Sequence, residues 1–170
     1  MELILNDRIH KVKLQTVLSQ NLYVKVMPIL EKLENSRGAQ KAYETLLQKR
    51  LLGDEYFSGK FNLLKGSDAW EGLKGDFKLQ EVIAEVILQI KTNVFEYISL
   101  DEQTIPIVFD LAKIAIDRKN INDNELLIAL DSDSSSDFWM EQDLNSILEE
   151  LKFFRSNTLA RIKTSFGNGQ

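Results

Sequence analysis

The sequence predicts an all-α protein, a single helical bundle of about five to six main helices with a long irregular loop near residues 53–77. Three observations carry that expectation. Apolar residues recur at helical spacing through most of the chain, only two prolines interrupt it, and five of the eight glycines fall between Gly53 and Gly75. A chain of 170 residues with 44% hydrophobic residues can bury one sizeable core. One domain over residues 1–170 is therefore expected, loosely ordered at 1–12 and 164–170.

The first long segment is marked by Leu14, Val17, Leu18, Leu22, Val26, Ile29, Leu30 and Leu33. Pro28 lacks an amide donor, so a kink or a new helix start is expected near Met27. Asn35-Ser36-Arg37-Gly38 is turn chemistry, after which Ala39, Ala42, Tyr43, Leu46, Leu47 and Leu51 form one apolar stripe that Gly53 can terminate. From Gly53 to Asp76 the glycines alternate with Tyr56, Phe57, Phe61 and Trp70, the pattern of an irregular connection with one or two short helical turns. The clearest helix spans about Leu79 to Tyr97, with Val82, Ile83, Val86, Ile87, Ile90 and Val94 on its apolar side. Another begins near Thr104, tolerates Pro106 in its first turn, and carries Ile107, Val108, Leu111, Ile114 and Ala115. Asn122 with Glu125 three residues on is close to a capping box for a short helix. The polar run Asp131 to Asp137 reads as a linker that supplies caps for a last helix reaching about Lys163, with Leu144, Ile147, Leu148, Leu151, Phe154 and Ile162 on its apolar face.

Several kinds of chemistry find little footing. Without cysteine there are no disulfides, thiolate metal sites or cysteine nucleophiles, which agrees with a reducing compartment. The longest purely apolar runs are a few residues, far below the roughly 20 needed to span a bilayer. The opening Met1-Glu2-Leu3-Ile4-Leu5-Asn6-Asp7 lacks the pattern of a secretory signal, so a cytoplasmic protein is expected. His10 is the single histidine and has no metal or triad spacing around it. Asp131, Asp133 and Ser135 imitate alternating calcium ligands, but Ser136 stands where glycine makes the turn and Gln142 where a bidentate glutamate is needed. Gly66, Gly72 and Gly75 lack the spacing of a phosphate-cradling loop. Trp70 reads as a plug holding its own loop to the core, with an anchor for a partner as the other reading. No cofactor and no catalysis are expected, although paired carboxylates can do acid–base work without histidine.

Charge is segregated along the chain. The net −5 divides into +3 over residues 1–80, −12 over 81–150 and +4 over 151–170. At about 100° per residue Arg37, Lys41 and Gln48 fall within about 40° of one another on the second helix, with Lys49 toward one edge and Arg50 behind. Such a ridge can contact phosphates, and a solvated helix face can carry the same charge. On the last helix Lys152, Ser156 and Lys163 align, Arg155 flanks them, and Arg161 projects elsewhere.

The segment Lys41-Ala42-Tyr43-Glu44-Thr45-Leu46-Leu47-Gln48-Lys49-Arg50-Leu51-Leu52-Gly53-Asp54, followed by an aromatic-bearing stretch through Phe61, resembles the carboxy-terminal helical bundle of large subunits in type I CRISPR surveillance (Cascade) complexes. The stretch from Leu151 through Phe153, Phe154 and Arg155 to Arg161 is similar to the closing helix of those bundles. Such bundles also occur as separate small subunits, some made by internal translation initiation. Membership implies a non-enzymatic structural role in antiviral defence, with several copies packing on one another and on backbone subunits while guiding target or displaced DNA beside the guide RNA. On that reading Arg37, Lys41, Lys49, Lys152, Arg155 and Lys163 make sequence-independent phosphate contacts, and the acidic 81–150 block faces protein neighbours. Two rivals stand beside it: an acidic helical adaptor or inhibitor that binds a protein, and a helical enzyme built on converging carboxylates.

Overall fold

A computed structural model describes residues 1–17, 19–57 and 75–155. The protein is predominantly α-helical, as its periodicity predicts, with two short antiparallel sheets added. The chain forms two compact units, residues 1–33 with 100–170 and residues 34–99.

The first unit opens with a hairpin of β1 (Glu2–Leu5) and β2 (Arg8–Lys11), in which Leu3 faces His10 and Ile4 faces Ile9 across the ladder. The residues between them, Asn6 and Asp7, have φ of 52° and 60°. Positive φ at both central positions is what a two-residue type I′ turn requires, and Asn and Asp tolerate it better than bulkier residues. Leu3 and Val12 are buried, and their burial anchors the hairpin within residues 1–12. β3 (Lys13–Leu14) pairs with β4 (Ile116–Asp117), so Leu14 belongs to a strand and not to the first helical segment.

α1 (Gln20–Glu34) runs through Pro28 without the expected break. Pro28 is exposed, so its ring reaches solvent and the helix forgoes a single backbone bond, while Leu22, Val26, Leu30 and Leu33 remain buried along one stripe. α5 (Thr104–Ala115) begins where predicted and buries Ile107, Val108, Phe109, Leu111, Ala112 and Ala115. Thr104 itself is fully buried, its hydroxyl tied to the Asp101 carboxylate at 3.1 Å.

α6 (Asn124–Leu130) starts one residue later than the Asn122 pattern implies, because the Asp123 carboxylate accepts the Glu125 and Leu126 amides at 2.9 and 3.2 Å. The serine-rich linker is partly packed: Ser134 is buried and its hydroxyl donates to Asp110. Its end starts only a single turn, α7 (Asp137–Met140), where a continuous last helix was expected. The long closing helix begins instead at α8 (Leu144–Phe154), capped by Asp143. α8 packs on α5, and its buried Ile147, Leu148, Leu151 and Phe154 each contribute roughly 1.5–3 kcal/mol relative to exposure. Trp139, fully buried, lies tilted 5.3 Å from the Phe109 ring and meets Phe138 edge-on at 5.1 Å.

In the second unit α2 (Arg37–Leu52) follows the sequence expectation at both ends. The Ser36 hydroxyl accepts the Ala39 amide at 3.2 Å, and the Gly53 amide closes the last turn on the Lys49 carbonyl at 3.1 Å. The predicted helix over 79–97 is two helices, α3 (Phe77–Thr92) and α4 (Val94–Tyr97). Asn93, at φ −128° and ψ 43°, leaves the helical region between them, and the change of direction lets the consecutive Val94 and Phe95 both be buried. Asp76 caps α3 through the amides of Lys78 and Leu79. The core of this unit joins Ala42, Leu47 and Leu51 of α2 to Leu79, Val86 and Ile90 of α3, with Phe57 buried beside them. Ile87, placed on the apolar side by periodicity, is 39% exposed. Phe61, Trp70 and most of the predicted irregular loop, Ile162 and Arg161 lie outside the described residues.

Candidate nucleic-acid interface

The α2 helix presents two faces whose difference follows from packing. Ala39, Ala42, Leu47 and Leu51 turn toward the core, and burial pushes the Tyr43 phenol above its ordinary value, keeping it neutral on that packed side. Away from most of these Arg37, Lys41 and Gln48 are exposed, and Lys49, also exposed, stands at one edge of that face, about 20° from Ala42 at 100° per residue. Lys41 and Lys49 stand in no ion pair among the described residues. From Arg37 to Lys49 the ridge rises about 18 Å at 1.5 Å per residue. Glu44 projects close to the same azimuth and is exposed, so the face is not purely cationic; its carboxylate sits 3.5 Å from the Gln40 amide.

Arg50 is withdrawn from that face. Its guanidinium donates to Glu85 of α3 at 2.6 Å, which ties the two packed helices together across their solvent edge. With side chains 47% and 61% exposed, such a bridge is worth about 0–1 kcal/mol. Below it, Leu46, Lys49, Arg50, Gly53, Asp54 and Gln89 border a cleft of about 670 Å³. Glu55 borders it too, so the two cations meet two carboxylates there and the cleft carries no excess of positive charge.

The other half of the predicted site lies in the first unit and looks different. Lys152 on α8 donates to Glu149 at 3.0 Å, an i,i+3 pair that neutralises it locally. Arg155, at the end of α8, is half-buried, so little of its fork is open to a phosphate. Lys163 and Ser156 lie outside the described residues. Of the six predicted cations, the structure thus places Arg37, Lys41 and Lys49 exposed on α2, pairs Lys152 with Glu149 on α8, and leaves Arg155 half-buried at the end of that helix.

His10 sits in β2, half-buried, opposite Leu3. Among the described residues no group of three His, Asp or Glu side chains is placed to hold a metal ion, and no helix is long and apolar enough to cross a membrane. Gln142, read in the sequence only as a failed calcium ligand, is buried and makes three hydrogen bonds: its Oε1 accepts the Ile4 amide at 2.7 Å, and its Nε2 donates to the Ile4 and Phe138 carbonyls at 2.9 and 2.6 Å. No local pattern signals that role, because the partner strand lies at the other end of the chain. Comparison of the chain with family models, with curated proteins and with solved structures finds no match.

Proposed function

We propose that this protein works by binding and not by catalysis, as a cytoplasmic, structural small subunit of a multisubunit RNA-guided CRISPR effector complex. The observation that supports the reading is the exposed α2 ridge of Arg37, Lys41 and Lys49, set on a helix whose opposite face is fully committed to the core. A rigid helix holding cations at fixed spacing suits sequence-independent phosphate contact, since phosphates position a protein without conveying sequence. Its partners on this reading are neighbouring subunits, further copies of itself, guide RNA, and target or displaced DNA.

The test uses a fluorescently labelled single-stranded oligonucleotide, with the full chain alone and in its assembled complex. Lys41→Glu combined with Lys49→Glu weakens binding at least tenfold in both settings. Unchanged affinity of a folded double variant overturns the α2 path.

A second reading has its own support. Asp123, Glu125, Asp131, Asp133, Asp137, Glu141, Asp143 and Glu149 are all exposed along the α6–α8 stretch, where Ile128 and Met140 also stand 73% and 55% exposed. Acidic side chains around exposed apolar ones suit a basic protein partner. Co-purification with one basic protein and no retention on guide RNA selects this adaptor role over the first.

A further inference from the structure

Residues 81–150 carry sixteen carboxylates and only four basic residues, Lys91, Lys113, Arg118 and Lys119. Three of those four, Lys113, Arg118 and Lys119, line one groove of about 560 Å³, where Lys25 of α1 joins them. The groove lies within the first unit, between α1 and the α5–β4 junction, and its size is that of a small-molecule site, typically about 300–1,000 Å³. In a protein of net charge −5, this concentration of cations at one concave place stands out against an acidic background.

The charges in the groove are unequally satisfied. Arg118 is spent internally: Nη1 donates to Asp131 at 2.6 Å and Nη2 to the Lys113 carbonyl at 3.1 Å. Asp117, the other carboxylate lining the groove, accepts the Lys119 backbone amide at 3.0 Å. Lys113 has a side chain only 18% exposed, yet its ion-pair partner Asp110 is 3.8 Å away, and the Asp110 oxygen it faces already receives the Ser134 hydroxyl. A charge-assisted hydrogen bond is formed at about 2.7–2.9 Å, so the ammonium at the end of this largely buried side chain is only loosely paired. Lys25 and Lys119 are exposed and stand in no ion pair among the described residues. On the groove's wall Ser19 accepts the Leu22 amide at 3.0 Å, leaving its hydroxyl proton to donate.

We propose that this groove binds a small polyanion bearing two or more phosphate groups, held by the ammonium groups of Lys25, Lys113 and Lys119. With Arg118 paired to Asp131, the three ammoniums set against the one Asp117 carboxylate leave an excess of two positive charges, more than a single monovalent anion balances, and adjacent phosphates supply the matching charge. Arg118, locked by Asp131, fixes the wall and leaves the three lysines to contact the ligand. The chemistry is shared by free pyrophosphate and by the polyphosphate of a nucleotide, and it is independent of the α2 ridge, which lies in the other unit.

Inorganic pyrophosphate is the first probe, titrated into the full chain by calorimetry, with a nucleoside triphosphate as the second. Saturable binding at one site is expected, weakened at least tenfold by Lys25→Glu or Lys119→Glu, and in the same order by the milder Lys25→Gln and Lys119→Gln. Lys41→Glu, on α2, leaves this binding unchanged, while Lys25→Glu with Lys119→Glu leaves oligonucleotide binding unchanged. Tighter binding of the triphosphate, lost in the same variants, identifies a nucleotide as the source; equal binding of the two probes identifies the free phosphate chain. Absence of saturable binding by both probes overturns the proposal, as does binding indifferent to Lys25 and Lys119. Loss of oligonucleotide binding in the Lys25 and Lys119 variants without pyrophosphate binding also overturns it, and makes the groove part of a nucleic-acid path.

Discussion

Replacing Gln142 by alanine removes a clamp that stands in for a paired strand. The buried amide both accepts from the Ile4 N–H and donates to the Ile4 C=O, as a neighbouring strand would, and a third bond reaches the Phe138 carbonyl. Each such bond contributes a net of about 0.5–1.5 kcal/mol. Ile4 is 44% exposed, so water recovers part of the loss on the hairpin side. The sum falls at about 2–3 kcal/mol, equivalent to about 6–9 °C in Tm for a chain of this length. Urea denaturation and thermal melting followed by circular dichroism measure it, and amide exchange at Ile4 localises it. Gln142→Glu sharpens the test. At neutral pH a carboxylate faces two carbonyl oxygens and the loss is at least as large, whereas in acid the protonated carboxyl donates again and recovers part of it. A Gln142→Ala variant within about 0.5 kcal/mol of wild type, with Ile4 exchange unchanged, refutes the clamp.

Three further outcomes follow from local contacts. Ser36→Ala deprives the buried start of α2 of its cap and costs about 1 kcal/mol by urea denaturation, while Ser36→Thr, which keeps a hydroxyl, costs less. The Ser146 hydroxyl, helped by the Ser146 and Asn145 amides, holds the Asp143 carboxyl below its ordinary value. A carboxyl depressed in the folded state stabilises above its unfolded value and loses that contribution as pH falls through the folded one, so the urea midpoints of wild type and Asp143→Ala converge in the acid range below the usual aspartate value. Trp139 is fully buried and its indole N–H has no hydrogen-bond partner among the described residues. Trp139→Phe removes that unpaired donor along with some volume and stays within about 1 kcal/mol of wild type, whereas Trp139→Ala costs about 3–5 kcal/mol; equal losses in the two variants contradict the unpaired donor.

What the sequence made legible is local. Ser36, the apolar stripe through Leu51 and Gly53 together specify α2, and all three signals act within a turn or two of the residues they organise. A local rule gives way where it meets a tertiary advantage. Pro28 is accommodated because its ring faces solvent while Val26 and Leu30 stay buried, and Asn93 interrupts a periodic pattern so that Val94 and Phe95 can both pack. The hairpin has its own local signal, Asn6 and Asp7 between the apolar Leu3-Ile4-Leu5 and the mixed Arg8-Ile9-His10-Lys11, which helical spacing does not reveal. The candidate site shows the same division. The α2 ridge follows from helical geometry, but the Arg50–Glu85 bridge spans 35 positions of sequence. The lysine groove was hidden because Lys113 and Lys119 vanish in a block charge of −12 while Lys25 lies about ninety positions away, and only the fold brings the three together.

The salt dependence of single-stranded oligonucleotide binding tests the phosphate-contacting role of α2 most directly. Three contacts, from Arg37, Lys41 and Lys49, give a slope of log affinity against log salt of about −2, or roughly a 15- to 20-fold loss between about 50 and about 200 mM salt. Lys41→Glu reduces the steepness by about 0.7. A wild-type slope near zero, or one that Lys41→Glu leaves unchanged in a folded protein, contradicts the account.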